Sequence, residues 1–423
     1  MHYRKPVVVI VDAYTSGKFL APGFIANGYE CVHVQSRPTV IPAYQPTYFN
    51  YNFIENIIFD HDITSVLDYL KKYQVLFIIP GAETGVLLAD QLNALLLLPC
   101  GNSLTKSHAR RDKFLMHSAL ASKGIRSIPQ YCSHQLDELK KWSTQHLYPQ
   151  VLKPLDSSGS HGVFICHDLK EIERAHANII QNNTVFGDTV ESVLIQQFIS
   201  GQEFIVNTVS YEGHHQVTDI WEKHKVIDQG CPINLYSDLL SKKDPRFSIL
   251  VQYVYQVLDA LEIRFGAGHS ELMLTSEGPI LIETAARVAG SINPAAVNTA
   301  LGHSQISKLL DAYLRPQKFL EQCQYPEQQY AVRHVFFRAE ISGQVEQAVD
   351  FSKWYQHLSS LYSMAFHIKP GLQLIKTTTL ANFPGYCYLV AQKPSQIVED
   401  YQFIRQNEMN LYQSMLESSS CSV

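Results

Sequence analysis

The run His269-Ser270-Glu271-Leu272-Met273-Leu274-Thr275-Ser276-Glu277-Gly278-Pro279-Ile280-Leu281-Ile282-Glu283 constrains this chain more than any other segment, because it reads as a β-hairpin that sets two carboxylates face to face. Two apolar stretches flank a short loop, and Gly278 stands where a three-residue connection needs a left-handed residue. A loop centred on Glu277 pairs residues equidistant from it, and Glu271 and Glu283 are each six positions away. Directly opposed side chains have Cβ atoms about 5 Å apart, where like charges destabilise one another. A divalent cation is the natural compensation. Hard oxygen ligands on a half-open surface suit Mg²⁺, which takes one or two carboxylates together with substrate phosphates. A register slipped by one residue would instead turn one glutamate out to solvent.

Thr284-Ala285-Ala286-Arg287-Val288-Ala289-Gly290-Ser291 then puts a fixed cation four residues past Glu283, in a stretch of small residues that lets backbone approach a ligand. Upstream, the apolar strand at Val151-Leu152 delivers Lys153. The loop Ser157-Ser158-Gly159-Ser160-His161-Gly162 follows and offers unencumbered N–H groups and hydroxyls before Val163-Phe164-Ile165. Such a loop can cradle phosphate oxygens. No Gly-Lys-Ser/Thr closes it and strand residues follow, so it is not a P-loop; taken alone, such a loop is more often a plain turn.

With these elements in order, the chain resembles the ATP-grasp ligases over roughly residues 105–295. Arg110-Arg111-Asp112-Lys113 resembles the segment that carries the first nucleotide lysine, and Val151-Leu152-Lys153-Pro154 the segment that carries the second. Ser157, Ser158, Gly159, Ser160 and Gly162 fall in what looks like the glycine-rich phosphate loop. Gln196, Gln197, Phe198, Ile199 and Glu203 fall in what looks like the hinge for adenine and ribose. Glu271 and Glu283 match the metal pair, and Arg287 the catalytic arginine. The His-Ser-Glu and Glu-x-x-x-Arg-x-x-Gly arrangements are most similar to those of the L-amino-acid ligases, as are Val11 to Gly17 and Pro80 to Val86.

The resemblance implies an ATP-grasp fold of mixed α/β and α+β content. It also implies an ATP-dependent carboxylate–amine ligase that forms an acyl phosphate and releases ADP, phosphate and a small amide, a dipeptide or an amino-acid conjugate. ATP and Mg²⁺ are the implied cofactors, with Mn²⁺ as an alternative ion. The implied partners are a small-molecule carboxylate and amine, amino acids first among them; a homodimer stays open. Lys113 and Lys153 would meet phosphate charge as compact ammonium donors, the backbone of Gln197 and Ile199 would read the adenine edge, and Glu203 would accept from ribose. Glu83, Glu222, His269 and Gly290 are the candidate substrate contacts. Bland readings stand beside these: Lys113 on the solvated face of a helix, and Trp221-Glu222-Lys223 as a strand with an exposed ion pair. Two departures are Ala285, where Glu-x-Asn commonly supplies a third metal ligand, and Gln196, where the hinge often has Glu. The rival functions are a purine-pathway or carbamoyl-phosphate-type synthetase and a non-catalytic nucleotide-binding module.

Composition excludes other classes. The chain has 423 residues, too many for one typical domain. A net charge of -5 without basic runs argues against nucleic acid as a partner. The eight cysteines show no Cys-x-x-Cys spacing, as expected of reduced thiols in cytoplasm. No apolar stretch approaches the roughly 20 residues of a membrane span. Residues 1–108 alternate short β-branched runs (Val7–Val11, Cys31–Val34, Leu76–Ile79) with helical stretches, which predicts a Rossmann-like pre-ATP-grasp domain; its first turn lacks Gly-x-Gly-x-x-Gly. The ATP-grasp domain is expected over 109–330, with a lid subdomain over about 127–195 and a catalytic lobe over about 196–330. Residues 331–423 are expected to form an antiparallel appendage with a frayed tail from Glu417.

Overall fold

A computed structural model of the chain describes residues 6–416, apart from 43, 157–161, 185, 229–230 and 379–381 and the side chains of 231 and 353. Ser157, Ser158, Gly159, Ser160 and His161 of the expected phosphate loop, and the tail from Glu417, lie outside the described residues.

The first sheet is parallel throughout, in the order β3-β2-β1-β4, from β1 (Pro6–Val11), β2 (Glu30–Gln35), β3 (Glu55–Ile58) and β4 (Gln74–Pro80). A parallel strand covered on both faces has no reason to alternate, which is why Val7 to Val11 is an unbroken aliphatic run. Val7, Val9 and Val11 pack with Val66, Leu70, Leu88 and Leu92 of the helices Ile63–Leu70 and Val86–Leu95. Val8 and Ile10 pack on the other side with Leu20, Phe24, Ile306 and Leu309. The second face therefore ties this sheet to the helix Gln305–Leu314, far along the chain. The edge strand β3 is half-exposed, and its pattern offers no apolar run from which to infer it.

A small antiparallel sheet follows, in the order β5-β8-β6-β7, from β5 (Gln130–Ser133), β6 (Gln150–Pro154), β7 (Phe164–Cys166) and β8 (Val193–Gln197). The third sheet has eight antiparallel strands in the order β13-β12-β9-β10-β11-β14-β18-β16. Its members are β9 (Gln202–Tyr211), β10 (His214–Asp228), β11 (Cys231–Leu239), β12 (Gly266–Thr275), β13 (Gly278–Ala285), β14 (Ala331–Phe336), β16 (Leu361–Phe366) and β18 (Gly385–Ala391). A two-stranded ribbon pairs β15 (Gly343–Gln344) with β17 (Gln373–Leu374). The C-terminal strands thus continue the central sheet. The helix Pro394–Leu416, which the sequence reading did not anticipate, covers them through Ile397 and Ile404.

Alternation along the central strands makes the two faces of this sheet chemically opposite. Phe204, Val206, Leu272 and Leu281 point to one side. There the helix Phe247–Ala260 buries Leu250, Tyr253, Val254, Val257 and Leu258, a stripe at helical spacing. Each such side chain, fully buried, contributes about 1.5–3 kcal/mol. Glu203, Ile205, Asn207, His269, Glu271 and Met273 point to the other side and line clefts.

The hairpin reaches the expected opposition by an unexpected route. Thr275 pairs with Gly278 across Ser276-Glu277, so the turn lies one half-step from the expected centre, and Leu272 faces Leu281. A register shift between Glu271 and Leu272 then leaves Ile282 as an extra residue and restores Glu271 opposite Glu283. Gly278 has φ +106, the left-handed backbone the loop required. A bulge re-aims side chains locally, and here both Ile282 and Glu283 line the cleft.

Candidate active site

The cleft between the small and the central sheet holds about 1040 Å³, open mouth included. It gathers Lys113, Lys153, Gln196, Gln197, Phe198, Ile199, Glu203, Glu271 and Glu283 from six separate segments. Asp112 caps the helix Lys113–Ser122 by accepting from Leu115 N–H at 2.9 Å, which fixes Lys113 at the first helical position. There the side chain is buried, with Nζ 3.1 Å from Glu283 Oε2, so the solvated-face reading of Lys113 is corrected. Lys153 enters from β6 and has no carboxylate within ion-pair distance among the described residues. Burial and the neighbouring Lys113 push its pKa down to about 8, against the pull of Glu283 and Glu271. At the hinge, Gln197 N–H donates to Pro129 C=O at 3.0 Å and Phe198 N–H to Pro149 C=O at 3.3 Å. Ile199 N–H is left without a protein acceptor among the described residues. The buried Gln196 amide donates to Gln130 Oε1 at 3.1 Å. Ile128, Val151, Val163, Ile165 and Met273 supply apolar walls suited to a planar ring.

Two lysines missed by the sequence reading organise the carboxylates. Lys223 Nζ lies against Glu203 Oε1 and 2.9 Å from Glu271 Oε2, and Lys225 Nζ pairs with Glu203 Oε2. Burial works against the Lys223 ammonium, but Glu203 and Glu271 overcome it and hold its pKa well above the ordinary lysine value. Burial would raise the Glu271 pKa, yet Lys223 and His269 keep it well below the usual carboxylate range. The opposed glutamates are thus compensated here by Lys223 and Lys113, a solution the sequence reading did not weigh. The strand alternation that put Glu271 in the cleft could have found Lys223 and Lys225, two apart on β10.

A second cavity of about 1330 Å³, open mouth included, adjoins the first and shares Lys223 and Glu271 with it. Glu83, His269, Arg287 and Gly290 line it. His269 Nδ1 sits 2.8 Å from Asn207 Oδ1, and Asn207 gives its amide N–H to Asp219. Since that carboxylate only accepts, the Asn207 oxygen must accept from His269, which therefore donates through Nδ1 and turns Nε2 to Glu271 at 3.5 Å. The N–H groups of Gly290 and Ser291 have no protein partner among the described residues, and Gly290 faces open space.

Two substrate expectations change. Glu83 lines the cavity, but Arg287 Nε donates to its Oε2 at 2.8 Å and Arg111 pairs with its Oε1. Burial opposes ionisation of Glu83, yet Arg111 and Arg287 bring its pKa down to about 2. Its carboxylate is committed to holding two guanidinium groups, not free for a substrate amine. Arg111 also reaches Asp156, at the root of the loop, at 2.7 Å. Glu222 is corrected outright: it lies on the opposite face of β10, where Arg246 grips both its oxygens at 2.8 Å, because alternation sends Trp221 and Lys223 to the cavity side.

The described cysteine side chains are all unpaired, and among the described residues no helix is long and apolar enough to cross a membrane.

An ATP-grasp domain is matched by residues 146–295. Dapdiamide A synthase of Enterobacter agglomerans is 37% identical over 97% of this chain and 97% of its own length. The L-arginine-specific L-amino acid ligase of Bacillus subtilis is 24% identical over 42% of this chain and 43% of its own. A solved L-amino acid ligase from Bacillus licheniformis has the same fold, with TM-score 0.76 at 18% identity over 96% of this chain and 98% of that one. The chain belongs to the ATP-grasp superfamily, alongside dapdiamide synthase and the L-amino acid ligases, and is an ATP-dependent, carbon–nitrogen bond-forming ligase.

Proposed function

We propose that the chain joins a small carboxylate, in the first instance an amino acid or an amino-acid derivative, to the amine of a second amino acid. The observation that carries this reading is the meeting of two cavities at Glu271 and Lys223, one of nucleotide character and one open to small molecules. The first would hold ATP: the hinge Gln196 to Ile199 takes the adenine, Glu203 the ribose hydroxyls, and Lys113 and Lys153 the phosphates. Four lysines against three glutamates leave the lining net cationic, as a polyphosphate requires. The resemblance assigns Ser157, Ser158, Gly159, Ser160 and Gly162 to the phosphates as well, and a site shut to water protects an activated acyl group from hydrolysis.

Glu271 and Glu283 face each other on adjacent strands and both line the cleft, a donor set that fits Mg²⁺ shared with phosphate oxygens. Among the described residues no cluster of three His, Cys, Asp or Glu side chains could cage a metal by itself, in keeping with Ala285 where a third ligand is common. The bound ion would supply charge neutralisation on the phosphates; Lys223 and Lys113 hold the carboxylates ready until the nucleotide arrives. The substrate carboxylate oxygen attacks the terminal phosphorus, ADP leaves, the amine adds to the acyl carbon and phosphate departs. Arg287, aimed by Glu83, faces the negative charge that grows on the phosphoryl and tetrahedral groups, and the N–H groups of Gly290 and Ser291 offer further donors there. His269, with Nε2 beside Glu271, helps hold that carboxylate ionised at the junction. Incubation with ATP and pairs of amino acids, with ADP, phosphate and product mass recorded, tests the reading. ADP and an amide in equal amounts support it, and AMP with pyrophosphate refutes it.

A further inference from the structure

The buried His117 stands behind the first cleft, bonded to Ile128 and Ile282 of its lining. It lies on the helix Lys113–Ser122 with Lys113 and Met116, spaced so that all three share one face, and each is at most 7% exposed. That face lies along β13, the outermost strand of the central sheet, whose outer backbone groups have no neighbouring strand among the described residues. The helix takes that strand's place. His117 Nε2 lies 3.3 Å from Ile282 C=O, Lys113 Nζ lies 3.1 Å from Glu283 Oε2, and Met116 Sδ accepts from Thr284 N–H at 3.3 Å. Three successive residues of β13 are thus gripped by three residues of one helix.

The ring has one tautomer open to it. Ile128 N–H donates to Nδ1 at 3.4 Å, so Nδ1 keeps its lone pair, and the proton sits on Nε2, which donates it to Ile282. Burial, with Lys153 nearby, pushes the His117 pKa down to about 3, so the ring stays neutral at working pH. Ile282 is the extra residue of the bulge that sets Glu271 opposite Glu283. Had the bulge formed one residue later, Leu272 would still face Leu281, but Ile282 would stand opposite Glu271 and Glu283 would become the extra residue. What fixes the bulge at Ile282 therefore fixes the carboxylate pair.

We infer that this helix face is a clamp for the metal-binding strand, with His117 as its positioning residue. By holding the Ile282 carbonyl, His117 pins the bulge and keeps Glu283 facing Glu271, where the two can share a divalent cation. The Lys113 pair cannot do this alone. Its ammonium holds the Glu283 side chain only until a phosphate draws it away, whereas the His117 bond is to backbone and survives that exchange. Groups behind a metal ligand set its aim, and their loss costs metal affinity although they never touch the ion. The inference rests on the reading of Glu271 and Glu283 as the metal pair.

Binding without turnover tests it. ADP is titrated calorimetrically at a series of free Mg²⁺ concentrations, and the Mg²⁺ concentration that half-maximally tightens ADP reads the metal affinity. His117→Leu should raise that concentration about tenfold or more. His117→Gln, whose amide can still donate to Ile282, should stay within about threefold of wild type. Leu92→Ala, which opens a cavity in the core of the first sheet, should lower the melting temperature and leave the Mg²⁺ response unchanged. A wild-type response in His117→Leu, no recovery with Gln, or an equal loss in Leu92→Ala would overturn the inference. If His117→Leu does not fold, Met116→Leu decides. That swap is of a kind cores tolerate; it removes the Thr284 acceptor and should weaken the Mg²⁺ response about threefold with little change in melting temperature, and an unchanged response overturns the inference. Glu283→Gln separates the two readings. If it weakens the Mg²⁺ response and His117→Leu does not, the positioning role fails and the metal pair stands; if Glu283→Gln leaves the response unchanged, the metal pair fails and the inference with it.

Discussion

The first cleft, where we place the nucleotide, and the far end of the second cavity share one sheet face and are built on opposite principles. In the cleft, Lys113, Lys223 and Lys225 are each already paired with a glutamate, and the excess of positive charge falls to Lys153. At the far end, the lining of Asn234, Ser237, His334 and Phe336 carries no formal charge. A site that takes the same charged ligand every time can hold its charges in reserve pairs that exchange when the ligand comes. A wall without charge has no such pairs to exchange and selects by shape and by a few placed polar groups.

The largest effect expected from disturbing this arrangement is at the opposed carboxylates. Glu283→Gln should lower kcat about a thousandfold or more, since charge neutralisation at phosphate is worth several kcal/mol. The pair with Lys113 implies that the same change also costs stability, about 1 kcal/mol given that Glu283 is part-exposed, readable as a lower melting temperature. Near-normal turnover at limiting Mg²⁺ would remove Glu283 from the metal pair. Next comes Arg287→Ala, expected to lose around 3 kcal/mol of transition-state stabilisation, on the order of a hundredfold in kcat, with little change in KM for ATP. An effect on KM for ATP alone would move Arg287 from the reaction to the nucleotide.

Lys153 sharpens the comparison, because it alone of the cleft lysines has no reserve partner among the described residues. Lys153→Ala should raise KM for ATP about tenfold while kcat changes less, a ground-state contact being lost. Its charge should fade as pH rises through about 8, so wild-type KM for ATP should climb above that pH and the variant's should stay flat. The stability sign is opposite. Between about 8 and the ordinary 10.5 the unfolded chain holds a proton that the folded chain has shed, so this group makes the fold more stable as pH rises through that window. Denaturant melts of wild type and variant from pH 7 to 10.5 should converge toward the top of the range. The smallest effect belongs to Glu222→Gln: on the far face of β10 and held by Arg246, it should change any KM by less than about threefold and stability by at most about 1 kcal/mol.

How much of this could be read from sequence follows the same division. The placement of motif-borne groups in the cleft is legible because a short segment carries both the residue and its position: Lys153 on its strand, Gln196 to Ile199 at the end of β8, Glu271 and Glu283 on one hairpin. Even there the hairpin arithmetic succeeded through two offsetting departures, a shorter turn and a bulge at Ile282, neither of which composition announces. Sequence alone does not separate Glu222 from Lys223 as the cavity-facing residue because the facing of β10 depends on its partner strands. Glu83 looked like a free carboxylate because Arg111 and Arg287 lie far from it in sequence. The far end is illegible altogether: Ser237 and His334 come from strands nearly a hundred residues apart and face each other only because β11 pairs with β14.

The central claim is that ATP activates a carboxylate at the junction of the two cavities, and isotope transfer reads it directly. With a substrate amino acid labelled with ¹⁸O in its carboxylate, the account predicts ADP, amide, and one ¹⁸O atom in each phosphate released, because the attacking carboxylate oxygen leaves with phosphorus when the amine displaces it. Unlabelled phosphate beside labelled amide would show that the amide formed without an acyl phosphate, since the lost carboxylate oxygen did not leave on phosphorus, and ¹⁸O in AMP would place the attack at the wrong phosphorus; either result contradicts the account.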